Sequence, residues 1–202
     1  MADTELELRL GYHFCDATLL RRALTHPSIG REDNQRLEFL GDAVLQLTVS
    51  EMIYAEHPGA DEGKMTHLRQ LLVCEEALSS VAQKLGLGAA LYMDHGEECT
   101  GGRSKPSVLC DAMEAVMAAV YLDGGIDPVR RIIRKWWPRP ESIQLPLQDS
   151  KSRLQELLQK NGGPSPTYEI LSQEGPPNDC TFTASVSYEG RIIGMGKGRS
   201  KR

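Results

Sequence analysis

Two apolar stretches of the chain, residues 36–50 and 106–122, each contain one pair of acidic residues and, apart from the arginine that opens the first stretch, no other charge. The members of a pair are four positions apart in the first stretch and three apart in the second. The four acids are Glu38, Asp42, Asp111 and Glu114. We predict that both stretches are helices, so each pair projects from a single helical face. The fold must therefore compensate like charges that lie side by side in apolar surroundings.

A divalent cation is the compensating partner that this pattern favours. Carboxylates at helical spacing repel each other, and burying one without a partner is costly. Oxygen-only ligands suit hard cations such as Mg²⁺, with Mn²⁺ as a possible substitute, and such ions also accept phosphate oxygens. One isolated pair is ordinarily the solvated edge of a helix. Two pairs, each alone in a long apolar run, favour a metal site instead.

Length and composition indicate a small globular protein. The chain has 202 residues, of which 40% are hydrophobic and 25% are charged. Its N-terminus is acidic, and no uncharged apolar run reaches the length that spans a bilayer, so we expect no membrane association and a cytoplasmic location. The five cysteines form no C-x-x-C pair. They are interpreted as reduced thiols, with a disulfide or zinc role as the alternative.

Charge is distributed unevenly along the chain. The net charge is −5, yet the last twelve residues contain five basic groups and no acid. Such a basic cluster is typical of a surface that contacts phosphate, although a solvated chain end has the same composition. The sequence therefore allows a nucleic-acid partner in spite of its acidic total.

Periodicity and composition predict two domains. Residues 1–140 have helical periodicity, including one predicted helix over residues 64–85 and another that begins after Asn34. A proline-rich linker follows at residues 141–147. Residues 148–202 then predict one helix and three strands, with sequences TYEILSQE, CTFTASVSYEG and RIIGMGKG. The predicted fold class is an all-α domain followed by a small α+β domain.

Two motifs carry a resemblance to a known family. The run NQRLEFLGDAVLQL resembles the signature of ribonuclease III, and GEECTGGRSKPSVLCDAMEAVMAAVYLDGG resembles the second catalytic block of that family. The likeness extends through THPS and EGKMTHLR. The segment from DSKSRLQELLQ onward resembles the start of a double-stranded-RNA-binding domain. The resemblance implies a dimeric, all-helical, metal-dependent endonuclease that cleaves both strands of duplex RNA. The resemblance further implies products with 5′-phosphate and 3′-hydroxyl ends and short 3′ overhangs. It also implies that the substrates are precursors of ribosomal and other structured RNAs.

The resemblance also implies roles for individual residues of the first domain. The four acids already identified match the metal-binding and catalytic acids of the family. Glu62 matches an auxiliary acid, whereas Gln35 stands where family members commonly have glutamate, so one accessory charge is missing. In the family, the phenylalanine at the position of Phe39 inserts into a partner subunit. Phe39 is therefore the expected anchor of a homodimer, with ordinary core packing as the alternative.

In the second domain the resemblance implies contacts to the minor groove and backbone of A-form RNA, which is recognised by shape rather than by sequence. Asn178 stands where the family often has histidine. The residues that match RNA-contacting positions are Ser152, Gln155, Glu156, Asn178, Lys201 and Arg202. The chain stops at the start of the second helix of the family domain, so we expect residues 148–202 to be marginally folded.

Two functions remain open from the sequence. One is a metal-dependent endonuclease for double-stranded or hairpin RNA. The other is a non-catalytic double-stranded-RNA-binding protein that reuses the fold. A relative that had lost its activity would be expected to lose acids, and this chain has all four, which favours the enzyme.

Overall fold

The computed structural model describes residues 2–30, 32–139, 154, 158, 163–174 and 180–198. The chain divides into two compact units, Met1–Ile143 and Gln144–Arg202. In its described part the first unit is helical, and the second contains a three-stranded sheet together with helical residues at Leu154 and Leu158. The predicted fold class is confirmed. The predicted linker lies outside the described residues, and the expected marginal stability of residues 148–202 stays a prediction.

The described part of the first unit contains nine α-helices. They are α1 (Ala2–Leu10), α2 (Ala17–Ala23), α3 (Gln35–Glu56), α4 (Glu62–Leu72), α5 (Glu75–Leu85), α6 (Leu87–Ala90), α7 (His95–Cys99), α8 (Pro106–Gly124) and α9 (Ile126–Trp136). None of these helices is long and apolar enough to cross a membrane.

The core is built around α8. Val116 and its neighbours are buried on every side of this helix, which is typical of a helix at the centre of a domain. Pro106 starts α8 where a missing N–H costs nothing, and Gly125, with φ of 78°, follows its last residue. Helices α3 and α5 pack along α8. The two helices that carry the predicted acid pairs therefore lie against each other.

One local prediction about helix boundaries was wrong. The segment over residues 64–85 is two helices, because Cys74 is extended (φ −77°, ψ 160°) and changes the chain direction between α4 and α5. This break lets Leu72 and Leu78 both enter the core. Helix α3 begins directly after Asn34, as predicted, although the Asn34 side chain makes no capping hydrogen bond. Instead, the carboxylate of Asp33 accepts the backbone N–H of Gln35 at 3.1 Å.

One face of α3 is apolar and exposed. Phe39 is 84% exposed, Leu47 54% and Tyr54 75%, and Ala43 between the first two is exposed as well. Their spacing places them on a single helical face. The opposite face, which includes Leu45, packs into the core. Phe39 is consequently not a core residue of the single chain.

The sheet of the second unit is an antiparallel meander. Strands β1 (Thr167–Glu174), β2 (Thr181–Tyr188) and β3 (Arg191–Gly198) lie in the order β1-β2-β3, close to the predicted segments. The turn between β2 and β3 has positive φ at Glu189 (50°) and Gly190 (77°), which matches the right-handed twist of a hairpin. In the register, Val186 pairs with Tyr168 on one side and Gly194 on the other.

Candidate metal centre

Three of the four predicted acids meet where α3 and α8 cross. Carboxylate oxygens of Glu38, Asp111 and Glu114 lie within 4.8 Å of one another, and all three side chains are half-buried. We call these three residues the carboxylate cluster. Asp111 and Glu114 lie on one face of α8 because of their i,i+3 spacing, and α3 brings Glu38 to the same place. Such a spacing of oxygen ligands suits a hard divalent ion.

Asp42 lies at the rim of the carboxylate cluster. It is exposed and is not one of the three residues whose oxygens converge. Its charge nevertheless raises the pKa of Glu114, so the two carboxylates are electrostatic neighbours. Gln46, one turn further along α3, donates a long hydrogen bond of 3.4 Å to Asp42 Oδ1. The four acids therefore form an inner group of three and one outer member.

Glu114 has the most perturbed carboxyl group of the cluster. Burial raises its pKa to about 7, and the negative charges of Asp42, Glu38 and Asp111 act in the same direction. A hydrogen bond from Cys110 opposes the shift. Burial and neighbouring negative charges both disfavour the charged form of a carboxyl group. A cation bound in the cluster would remove this penalty.

The other two acids of the cluster also have raised pKa values. Burial is the main cause for Glu38, followed by the charge of Asp111. For Asp111 the pKa is raised by burial and then by the charge of Glu75, while the electrostatic interaction with His26 opposes the rise. Perturbation of several adjacent acids is typical of functional sites.

Cys110 and Glu75 border the carboxylate cluster, although neither was identified from the sequence. The Cys110 Sγ lies 3.9 Å from Glu114 Oε1, and burial raises the pKa of this thiol to about 12, helped by the charge of Glu114. Glu75 is exposed in the first turn of α5. Helical spacing identifies Cys110 as a neighbour of Glu114, four positions on. The proximity of Glu75 depends on how α5 packs against α8.

The cluster has no ion-pair partner in the part of the chain that the structure describes. The ion pairs found there join other residues, among them Arg130 with Glu51 and Asp127, and Arg103 with Glu98. Half-buried carboxylates without a basic partner are unfavourable unless a cation is bound. The donor atoms of the cluster itself are all carboxylate oxygens. They therefore fit Mg²⁺ or Mn²⁺.

Glu62 and Gln35 lie outside the carboxylate cluster. Glu62 is the first residue of α4 and accepts a hydrogen bond of 3.1 Å from Thr66 Oγ1. It lines a groove between α3 and α4 with a volume of about 420 Å³. The groove is lined by Leu47, Ser50, Glu51, Ile53, Tyr54, Glu62, Met65, Thr66 and Arg69. Gln35 is exposed at the first residue of α3.

The residues predicted to contact RNA lie outside the described residues. They are Ser152, Gln155, Glu156, Asn178, Lys201 and Arg202. The predicted RNA contacts therefore rest on the sequence resemblance.

Comparisons with known proteins cover both units. Residues 16–139 match the family model described as Ribonuclease-III-like, and residues 150–202 match the model described as Double-stranded RNA binding motif. A protein named Ribonuclease 3 from Pelotomaculum thermopropionicum is 47% identical over 209 residues, covering 98% of this chain and 87% of the relative. Another of that name from Bacillus velezensis is 42% identical over 207 residues, covering 98% and 83%.

Solved structures agree with these matches. The nuclease domain of ribonuclease III from Campylobacter jejuni has a TM-score of 0.64 and 41% identity, and covers 65% of this chain and 93% of that chain. Its description refers to a region involved in dimer formation. Dicer from Pichia stipitis has a TM-score of 0.51 and 25% identity, and covers 92% of this chain and 87% of that chain. The chain belongs to the ribonuclease III family of double-stranded-RNA-specific endoribonucleases, with a nuclease domain followed by a double-stranded-RNA-binding motif.

Proposed function

We propose that the chain hydrolyses double-stranded RNA in a reaction that depends on Mg²⁺, with Mn²⁺ as a substitute. The products would have 5′-phosphate and 3′-hydroxyl ends with short 3′ overhangs, and the substrates would be precursors of ribosomal and other structured RNAs. The observation that carries this proposal is the convergence of Glu38, Asp111 and Glu114 within 4.8 Å, in a chain of this family.

The four acids would have two different places in the site. Glu38, Asp111 and Glu114 would hold the ion, and exposed Asp42 would complete the site from the solvent side. A bound divalent ion lowers the pKa of an attacking water and stabilises the charge on the leaving oxygen. Because the pKa of Glu114 is about 7 in the free chain, its carboxyl group is partly protonated near neutral pH. Binding should therefore release a proton and become tighter as the pH rises.

The chain's own side chains need not supply a nucleophile. The thiol nearest the cluster, that of Cys110, has a pKa of about 12 and is protonated at neutral pH. A thiol in this state is a poor nucleophile. The attacking group is therefore assigned to water.

The exposed face of α3 is proposed to form a homodimer. A twofold axis across this face would pair the N-terminal half of one α3 with the C-terminal half of the other. Phe39 would then reach the groove between α3 and α4 of the partner, which Leu47 and Tyr54 line. Burying a phenylalanine side chain stabilises an association by about 2 kcal/mol. Glu62, at the same groove, would lie near this contact.

RNA binding is proposed for the second unit. Ser152, Gln155 and Glu156 would contact the minor groove, Asn178 would contact the adjacent backbone, and Lys201 with Arg202 would contact phosphates. Phosphate contacts make affinity depend steeply on salt. We therefore expect a Lys201→Ala, Arg202→Ala double variant to bind duplex RNA more weakly and with a shallower salt dependence.

We also propose the boundaries 1–140 for the nuclease domain, 141–147 for the linker and 148–202 for the RNA-binding domain. The family matches to residues 16–139 and 150–202 support this division. A cytoplasmic location is proposed because all five cysteines are free, which is typical of a reducing compartment.

The proposed activity has a direct test. The protein is incubated with a perfect RNA duplex and with a single strand of the same sequence, in Mg²⁺ and in excess chelator. We expect cleavage of the duplex in Mg²⁺ only, with products that a 5′-phosphate-dependent exonuclease degrades. Cleavage that persists in chelator would exclude the metal mechanism, and binding without cleavage in Mg²⁺ would favour a non-catalytic RNA-binding protein.

A further inference from the structure

One almost fully buried amide of the first unit lacks a hydrogen-bond partner. Asn34 is 2% exposed, and its Oδ1 accepts no hydrogen bond from any residue that the structure describes. Its backbone, by contrast, is paired: the N–H donates to Thr25 O at 2.9 Å, and the carbonyl accepts from Glu38 N at 2.8 Å. Buried polar atoms in folded proteins nearly always have a partner, either a protein group or an ordered water. The Asn34 oxygen therefore requires a donor that the described chain does not supply.

Asn34 lies one helical turn before the first acid of the carboxylate cluster. Its backbone is helical (φ −84°, ψ −9°), so positions 34, 38 and 41 share one face. On that face Glu38 belongs to the carboxylate cluster, and Gly41 lies against the backbone of Glu114. A helical side chain leans toward the N-terminus and covers the preceding turn, so Glu38 extends back over the turn that contains Asn34. The unpaired amide is therefore on the side of α3 that faces the carboxylate cluster.

The other neighbour of Asn34 also leads to the cluster. Thr25, whose carbonyl accepts the Asn34 N–H, is followed directly by His26. Burial raises the pKa of Asp111, and the electrostatic interaction with His26 opposes that rise. The two backbone hydrogen bonds of Asn34 therefore fix it beside Glu38 of α3 and beside a segment that interacts with Asp111 of α8.

We propose that Asn34 is a positioning residue of the metal centre, and that its Oδ1 accepts a hydrogen bond from a water bound to the ion in the carboxylate cluster. Ions such as Mg²⁺ keep several of their waters in protein sites, so donors of this kind accompany the ion. Residues that orient the ligands of a metal change its affinity by about 10–100-fold. The inference rests on the proposed function, because it requires an ion at the cluster.

The chemistry of the donors and acceptors favours a bound water over a direct contact with the acids. An ionised carboxylate only accepts hydrogen bonds, so it cannot satisfy an amide oxygen. A water bound to a cation is a strong donor, because the positive charge polarises its O–H bonds. The Asn34 oxygen consequently gains its partner when the ion binds. Removal of this oxygen should weaken ion binding without lowering the stability of the ion-free chain.

Substitutions at Asn34 separate this role from a structural one. Asn34→Leu keeps a similar volume and removes the oxygen, and such a replacement of an unpaired buried polar group is nearly neutral or stabilising. In chelator we therefore expect a Tm at or above the parental value. Asn34→Asp keeps an oxygen acceptor at the same position. Thr48→Val is the matched control, since Thr48 is also 2% exposed on α3 but its hydroxyl donates to the Val44 carbonyl.

Mn²⁺ binding by the full chain provides the first measurement, through the loss of the electron paramagnetic resonance signal of the free ion. We expect the dissociation constant to rise about tenfold in Asn34→Leu. It should stay at or below the parental value in Asn34→Asp. Thr48→Val should have a lower Tm in chelator and the parental affinity for Mn²⁺. Parental affinity in Asn34→Leu would overturn the proposal, as would equal weakening in the leucine and aspartate variants.

Glu114→Gln distinguishes a failure of this inference from a failure of the proposed function. If Glu114→Gln binds Mn²⁺ as the parent does, or if the parent binds none, the cluster holds no ion and both proposals are refuted. If Glu114→Gln binds weakly while Asn34→Leu binds normally, only the role of Asn34 is refuted.

Cleavage of an RNA duplex provides the second measurement. In Asn34→Leu the Mg²⁺ concentration for half-maximal cleavage should rise about tenfold, while affinity for the duplex stays at the parental value. A purely structural role would instead lower the cleavage rate at every Mg²⁺ concentration and leave the half-maximal concentration unchanged, and that result would overturn the proposal.

Discussion

Gly41 of α3 lies directly against the backbone of Glu114 on α8, so that a β-carbon at Gly41 would be 1.9 Å from the Glu114 carbonyl oxygen. The obstacle is backbone, which cannot rotate away as a side chain can. This close approach brings Glu38 of α3 within reach of the acids of α8. The glycine lowers helix propensity by about 1 kcal/mol relative to alanine. In return, it permits the close approach of α3 to α8.

Replacing this glycine should disturb stability and activity together. Gly41→Ala must push α3 and α8 apart, and overpacking of this kind costs about 1–3 kcal/mol, less the gain in helix propensity. We expect a lower Tm and strongly reduced cleavage. Gly59→Ala is the matched control because a β-carbon there meets nothing within 4 Å. A Gly41→Ala variant with parental Tm and parental cleavage would refute the importance of this contact.

Amide variants should separate catalysis from RNA binding. Glu114→Gln and Asp42→Asn each remove a ligand charge without a large change in shape. We therefore expect cleavage in Mg²⁺ to fall more than about 100-fold, a larger loss than removal of a residue that only supports a metal ligand would cause. Duplex affinity should remain near the parental value. Glu76→Gln, an exposed acid on α5, should cleave normally. Parental cleavage by either cluster variant would show that the metal assignment is wrong.

The raised pKa of Glu114 predicts a specific pH dependence of stability in chelator. The pKa is 4.5 ordinarily and about 7 in the folded chain, so the folded state binds the proton more tightly than the unfolded state. The stabilisation that comes from protonated Glu114 is therefore complete below pH 4.5 and is lost as the pH rises through 7.

Comparison with the amide variant isolates this contribution. Between pH 5 and pH 8, the parent should lose roughly 1 kcal/mol more than Glu114→Gln after allowance for solvent screening, or about 3 °C in Tm. Adding Mg²⁺ should restore most of the loss at pH 8 in the parent only. Parallel Tm curves for the two proteins would indicate that Glu114 titrates normally.

The exposed phenylalanine predicts a change in oligomeric state. Phe39 is 84% exposed in the single chain, so Phe39→Asp should fold normally and yet abolish dimerisation in sedimentation experiments. Leu8→Asp is a control, since Leu8 is 77% exposed on α1 and should leave the dimer intact. A Phe39→Asp protein that still sediments as a dimer would exclude Phe39 as the anchor.

The sequence by itself determined the parts of the site that depend on local geometry. Helical spacing places Asp111 beside Glu114 whatever surrounds them, because an α-helix fixes the relation between positions three or four apart. The same rule relates Cys110 to Glu114. Alternating residues and turn signals likewise predicted the three strands, since strand periodicity is also a local property. Family motifs added the expected order of the two domains.

Tertiary structure decided what depends on residues distant in sequence. Which acids share one cluster follows from the crossing of α3 and α8, and that crossing left Asp42 at the rim while it brought Glu38 inward. The exposure of Phe39 also required knowledge of which faces of α3 the other helices cover, because the apolar residues surround this helix. Sequence periodicity specifies the faces of a helix, whereas only packing determines which of them meet a partner and at what distance.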